Sequence, residues 1–281
     1  MTSISILITN PALAGASAVG LLLFSVWISS LLIRDASIID MFWGGGFAVI
    51  AATCLLVSKN LSSAAIAIAA LVMLWGARLW LHLFLRWRRE GEEDFRYQRM
   101  RAHHGEKFWW RSLFTVFILQ GVLMWLVAMP YMTALDFGGP VAAPIAAWVG
   151  LAIALFGVTM ETLSDIQLTK FRANAQPGDL LTDGWWSRTR HPNYFGDALF
   201  WWGIWAAAVA TTPEVIWTIY APALMTFLLI RISGAEMLER RLIKKPGYAE
   251  YMARTNRFVP RVFQKMRLKR TLQHPHNARK I

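Results

Sequence analysis

The chain has 281 residues, of which 56% are hydrophobic and only 16% charged, and so much apolar surface excludes a soluble domain of ordinary composition. Its formal net charge of +12 is confined to segments beside apolar runs and comes without a zinc-finger spacing or other nucleic-acid motif, so anionic lipid or a phosphate-bearing ligand fits it better than nucleic acid. One cysteine, Cys54, excludes an intrachain disulfide and a thiolate metal cluster.

A run of roughly 20 apolar residues lets a helix cross the hydrocarbon core with every backbone group bonded internally. In chain order such runs cover approximately Pro11–Ile33, Ile38–Val57, Leu61–Leu85, Ser112–Met132, Val141–Leu163, Tyr194–Ala210 and Pro213–Ile232. They predict an all-α integral membrane bundle of about seven transmembrane helices. The first run lacks the basic flank of a cleavable signal and reads as a retained helix; the sixth is short. Alternate loops differ sharply in Lys and Arg: eight lie between Arg86 and Arg111 and fourteen from Arg231 onward, against none around Asp136 and Thr211. That bias puts the C-terminus in the cytoplasm and the N-terminus outside, with Lys59 alone on the opposite side. Residues 1–260 read as one membrane domain and residues 261–281 as a basic cytoplasmic tail.

A charged side chain inside a span costs about 3 kcal/mol on insertion scales, so each one asks for a cavity, a ligand or a partner. Asp40 opens the second run, Arg78 and His82 lie in the third, Glu161 and Asp165 end the fifth, Asp197 opens the sixth and Arg231 ends the seventh. All fall toward the cytoplasmic face, which implies a polar cavity open to the cytosol. On a helix Arg78, His82 and Arg89 share one stripe, as do Glu161, Asp165 and Arg172, and two such stripes can face one ligand. The alternatives are arginines that snorkel to the headgroups and a structural ion-pair network.

The segment Asp179 to Asp197 is DLLTDGWWSRTRHPNYFGD. Gly184 allows a tight turn, Arg188, Arg190 and His191 supply cations, Pro192 suits a first helical turn and Asn193 offers a cap-like side chain. A helix start of this kind, with free N–H groups beside cations, favours a phosphate or carboxylate; a basic loop held by headgroup phosphates is the alternative. His103, His104 and Glu106 lack a third well-spaced ligand and read as solvated loop residues, so no metal is expected.

These residues together resemble the steroid 5-alpha-reductase family, in particular its bacterial seven-span branch. Asp40 to Gly44 (DMFWG), Gly91 to Tyr97 (GEEDFRY) and Gly184 to Gly196 (GWWSRTRHPNYFG), followed by Glu236, Tyr248, Tyr251 and Pro260, carry the resemblance over about four-fifths of the chain. It implies an enzyme in the bacterial inner membrane, with its site open to the cytoplasm. Such an enzyme binds NADPH and reduces a carbon–carbon double bond conjugated to a carbonyl in a hydrophobic, steroid- or lipid-like substrate. Position by position, it implies cofactor-contacting or supporting roles for Arg78, Arg89, Glu161, Asp165, Arg172, Arg190, His191, Asn193, Tyr194, Asp197, Arg231 and Glu236. Arginines suit the pyrophosphate and 2′-phosphate, and carboxylates accept ribose or amide hydrogens.

Two positions depart from the family pattern. The animal steroid reductases carry a Gln-Glu pair in the second span and a Tyr in the third, whereas here Asp40 lies near the Glu and Trp75 near the Tyr; Glu161 also replaces an Asn. Asp40 is therefore the expected catalytic acid, either neutral and donating to the substrate carbonyl, or ionised and paired with Arg78. The third motif and the tail residues Glu236, Tyr248 and Tyr251 are shared with the isoprenylcysteine carboxyl methyltransferases, so a membrane methyltransferase using S-adenosylmethionine is the rival reading. A non-catalytic lipid-binding or transport protein, with the charged stripes lining a permeation path, is the third. The oligomeric state is not readable from the sequence.

Overall fold

A computed structural model describes residues 10–59, 61–137, 139–232 and 235–261, so the basic tail expected over residues 261–281 lies, beyond Arg261, outside the described residues. The described residues form helices joined by turns and loops. Helix α1 (Pro11–Ile33) is capped by Asn10, whose side chain accepts from Leu13 N, and α2 (Ile38–Val57) follows after a short turn. Helix α3 (Ser63–Glu90) starts at Ser62, which caps Ala65 N, and stops at Gly91, whose φ of 68° is the left-handed conformation that favours glycine. A short polar helix, α4 (Phe95–His104), and a tight turn (Gly105–Lys107) lead into α5 (Phe108–Ser112), a wide π turn (Leu113–Ile118) and α6 (Leu119–Phe137). Then come α7 (Pro144–Asn174) and α8 (Pro192–Thr211), and finally α9 (Tyr220–Phe227), α10 (Ala235–Leu242) and α11 (Tyr248–Arg254).

Among the described residues six helical segments are long and apolar enough to cross a membrane: Pro11–Ile33, Ile38–Val57, Ser63–Glu90, Phe95–Phe137, Pro144–Asn174 and Pro213–Leu242. Leu21, Phe24, Leu32, Ile145, Trp148 and Phe156 point outward from them, as lipid-facing side chains must, so the chain is an integral membrane protein. The difference from the seven expected spans lies at α8. It is 20 residues long but carries Asn193, Asp197 and three tryptophans, and eleven of its residues are buried. A helix enclosed by its neighbours needs no continuous apolar surface for lipid. Two other helices are longer than the apolar runs that announced them. Helix α3 continues past Leu85 and α7 past Leu163, carrying Arg86, Arg89, Asp165 and Arg172 on polar extensions.

The closest packing is between α7 and α8, along Gly150, Ala154 and Gly157 on one and Gly196, Gly203 and Ala207 on the other. A Cβ added at Gly203 would stand 2.5 Å from Ala154 N, and one at Gly196 would stand 2.7 Å from Glu161 N, so these backbones touch because no side chain intervenes. Gly203→Ala is expected to lower stability by about 2 kcal/mol, as overpacking does. Gly20→Ala, where nothing lies within 4 Å, should be neutral or slightly stabilising. Thermal unfolding of the two detergent-solubilised variants compares them, and equal shifts would refute the packing account.

Inside the bundle Trp75, Trp201, Phe47, Phe200 and Tyr131 form a fully buried aromatic cluster, with Trp75 and Phe200 stacked at 5.1 Å. This cluster is the apolar floor on which the charged residues stand.

Candidate functional site

Arg78 lies at the centre of the charged end of the bundle. One turn beyond Trp75 on α3, it reaches across to α7, where its Nη1 donates to Asp165 at 2.8 Å and its Nη2 to Glu161. The Trp75 indole donates to the other Glu161 oxygen at 2.8 Å, and the Asn193 amide of α8 donates to Asp165 at 3.2 Å. The two stripes expected from the sequence therefore face each other and are held together by a shared guanidinium. Glu161, Asp165 and Asp197 are all buried. Three acids against one arginine leave the network under-compensated, and the buried Arg78 Nε, Asn193 Oδ1 and Asp197 Oδ1 have no hydrogen-bond partner among the described residues. Buried polar atoms left open in one place fit a bound polar ligand.

Tyr194, next to Asn193, connects this network to the polar rim. It lies within electrostatic reach of Asp165, Arg86, Arg96 and Arg172, and its ring stacks on His191 with centroids 5.5 Å apart. Arg172 in turn lies near Arg86, Arg89 and Glu90. Arg172 and Arg89 are exposed and, among the described residues, Arg89 bonds only its own helix at Leu85 O, so the rim offers cations without an ion-pair partner there, above buried acceptors.

Asp40 stands in a neighbouring corner. It pairs with Arg96 and accepts the Tyr97 hydroxyl at 2.6 Å; the alternative pairing of Asp40 with Arg78 is not formed, because Arg78 is taken up by Glu161 and Asp165. The DMFWG and GEEDFRY motifs thus meet through their charged residues. Asp94 caps α4 through Arg96 N, and Glu93 accepts from Ala36 N at 2.8 Å and from Arg101. Trp87 donates to Asp35 at 2.6 Å. Burial raises the Asp94 carboxyl, but hydrogen bonds and charge from Arg96 outweigh it and hold the group below its ordinary value. A cleft lined by Ser37, Asp40, Leu83, Arg86, Trp87 and Asp94 opens beside this corner.

Other expected site residues lie elsewhere. Arg190 and His191 are buried, and both are bound to Glu239 of α10, at 2.7 and 3.3 Å; Arg190 also donates to Thr255 O at 2.6 Å. Burial keeps the His191 imidazole below its usual value despite Glu239. These two residues lock the GWWSRTRHPNYFG loop to the C-terminal segment, together with Arg190 N to Asn256 O and Arg261 N to Arg188 O. Arg231 and Glu236 form an exposed pair that Arg240 joins. Asn193 is not a cap: His191 occupies that position with Pro192 first in the helix, and the Asn193 amide turns inward to Asp165.

Sequence reasoning missed Arg86, Arg96, Tyr97 and Glu239. Arg96 and Tyr97 stood in a quoted motif, but nothing in spacing says that α4 folds back over the start of α2. Glu239 had no signal at all.

No solved structure matches the chain at a significant level. An uncharacterized protein of Schizosaccharomyces pombe is 26% identical over 283 residues, spanning 90% of this chain and 81% of the relative. The family model described as "Protein of unknown function (DUF1295)" matches residues 26–255, and the chain belongs to that family.

Proposed function

We propose that the protein is a membrane-embedded, NADPH-dependent reductase of a hydrophobic substrate whose carbon–carbon double bond is conjugated to a carbonyl. The observation that carries this reading is the layered site: uncommitted cations at Arg89 and Arg172 above open acceptors at Asn193 and Asp197. Phosphates suit the first layer, and ribose and amide hydrogens suit the second. Arg78, Asp165 and Asn193 fix that acceptor layer, and Tyr194 separates it from the Asp40 corner. NADPH bound there supplies a hydride.

The chain's own task is then to place a hydrogen-bond donor at the substrate carbonyl oxygen, where negative charge develops. Asp40, charge-balanced by Arg96, holds the Tyr97 hydroxyl. In this reading the single phenol O–H, donated to Asp40 in the free protein, turns to the substrate oxygen on binding, and Asp40 is the group that positions it, in place of a neutral Asp40 carboxyl. The apolar substrate lies among α1 to α6, from where the Asp40 corner is reached.

The test is a binding titration of the purified protein with NADPH, NADH and S-adenosylmethionine. Preference for NADPH is expected, lost by about tenfold in Arg172→Ala while the protein still extracts normally. With a working substrate, Asp40→Asn should cut turnover and leave nucleotide affinity unchanged. Binding of S-adenosylmethionine alone would give the site to methyl transfer, and equal affinity for NADH and NADPH would remove the phosphate role of the rim arginines.

A further inference from the structure

The turn between α4 and α5 takes no part in the site above, yet it gathers four basic side chains. His103, His104, Lys107 and Arg111 line one surface cup together with Glu106. The two fixed cations against one carboxylate leave a net positive charge, and no ion pair engages Lys107 or Glu106 among the described residues. The imidazoles lie 4.8 Å apart, and Arg111 Nη1 is 3.2 Å from His104 Nδ1, an arrangement in which the guanidinium donates and the ring keeps its proton on Nε2. The cup therefore offers several N–H donors and a balance of charge that suits a monoanionic phosphodiester.

What stands under the cup decides between a free anion and a lipid. Trp109 and Trp110, the next residues along α5, are 57% and 41% exposed. From Trp110 the exposed face continues through Phe114, Ile118 and Val122, one residue per turn, down the segment that is apolar enough to span a membrane. The Arg111 guanidinium lies 5.4 Å from the Trp110 ring, so the cationic cup and the apolar face are continuous. A free phosphate would use the cup alone. Tryptophans at the head of a lipid-facing stripe mark headgroup depth.

We propose that this cup and stripe form a seat for one anionic phospholipid, its phosphodiester among His103, His104, Lys107 and Arg111 and an acyl chain along Trp110, Phe114, Ile118 and Val122. The net charge of the cup selects a headgroup without a compensating ammonium, so phosphatidylglycerol should be held in preference to phosphatidylethanolamine.

The experiment is native mass spectrometry of the full chain released from detergent supplemented with either lipid, with inorganic phosphate as competitor. Lys107→Glu changes an exposed side chain, and Lys244→Glu, exposed in the turn after α10, makes the same charge change at a residue that does not line the cup. One retained phosphatidylglycerol is expected, held about tenfold more weakly by Lys107→Glu and unchanged in Lys244→Glu. Phe114→Asn, at an exposed stripe position, should also lower retention. Equal retention of the two lipids, equal weakening by the two Lys variants, or displacement of the lipid by inorganic phosphate would each overturn the proposal.

Discussion

Arg78→Met is expected to lower the stability of the detergent-solubilised protein by about 3–5 kcal/mol, because it leaves Glu161 and Asp165 buried without their shared cation. The loss is one of uncompensated charge and not of packing, since methionine fills much of the arginine stem's volume. Two further variants separate these causes. Arg78→Lys keeps the charge but replaces a planar fork with a single ammonium, which cannot hold both carboxylates in the same geometry, so an intermediate loss is expected. Adding Glu161→Gln and Asp165→Asn to Arg78→Met removes the stranded charges and should restore much of the stability, a coupling that independent sites do not show. Thermal unfolding of the set gives the answer. If Arg78→Met unfolds at the wild-type temperature, the network is not what fixes α3 to α7.

Glu239→Ala should be of similar size, about 3–5 kcal/mol, for a related reason. Its carboxylate accepts from Arg190 Nε at 2.7 Å, Arg257 Nε at 2.8 Å and His191 Nε2 at 3.3 Å, and it is itself buried. Removing it leaves the buried Arg190 without its counter-charge and frees Arg257, which loosens the segment after α11 against the loop before α8. Arg190 keeps its bonds to the Thr255 and Met252 carbonyls, which limit the loss. Glu239→Gln, which still accepts hydrogen bonds, should cost only about 1–2 kcal/mol. Limited trypsin digestion provides a second measurement: Arg254 and Arg257 should become cleavable in Glu239→Ala well before the membrane helices do. Because His191 stacks on Tyr194, the same variant should weaken nucleotide binding under the proposed function. Wild-type protease resistance in Glu239→Ala would show that the lock is made elsewhere.

The sequence by itself determined that the chain is helical and membrane-embedded, because apolar length is a local property and a bilayer admits few alternatives. It also determined that Arg78 and His82, or Glu161 and Asp165, share a helix face, since that follows from helical spacing alone. Even the helix start at Pro192 was legible, because proline presets the first-turn dihedral. Tertiary structure alone decided which partners those faces meet. Asp40 is bound by Arg96 and Tyr97 and not by Arg78, because the turn at Gly91 folds α4 back over the start of α2, and no spacing rule fixes that angle. Arg190 and His191 face Glu239 rather than the acid network, because the C-terminal segment returns to pair with residues 188–190. Helix α8 shows the same division: its apolar run reads as short in sequence, and only the close approach of the α7 glycines reveals how it is held. Periodicity along one helix is set by covalent geometry, whereas the choice of ion-pair partner is set by how separate helices pack, and that information is spread over the whole chain.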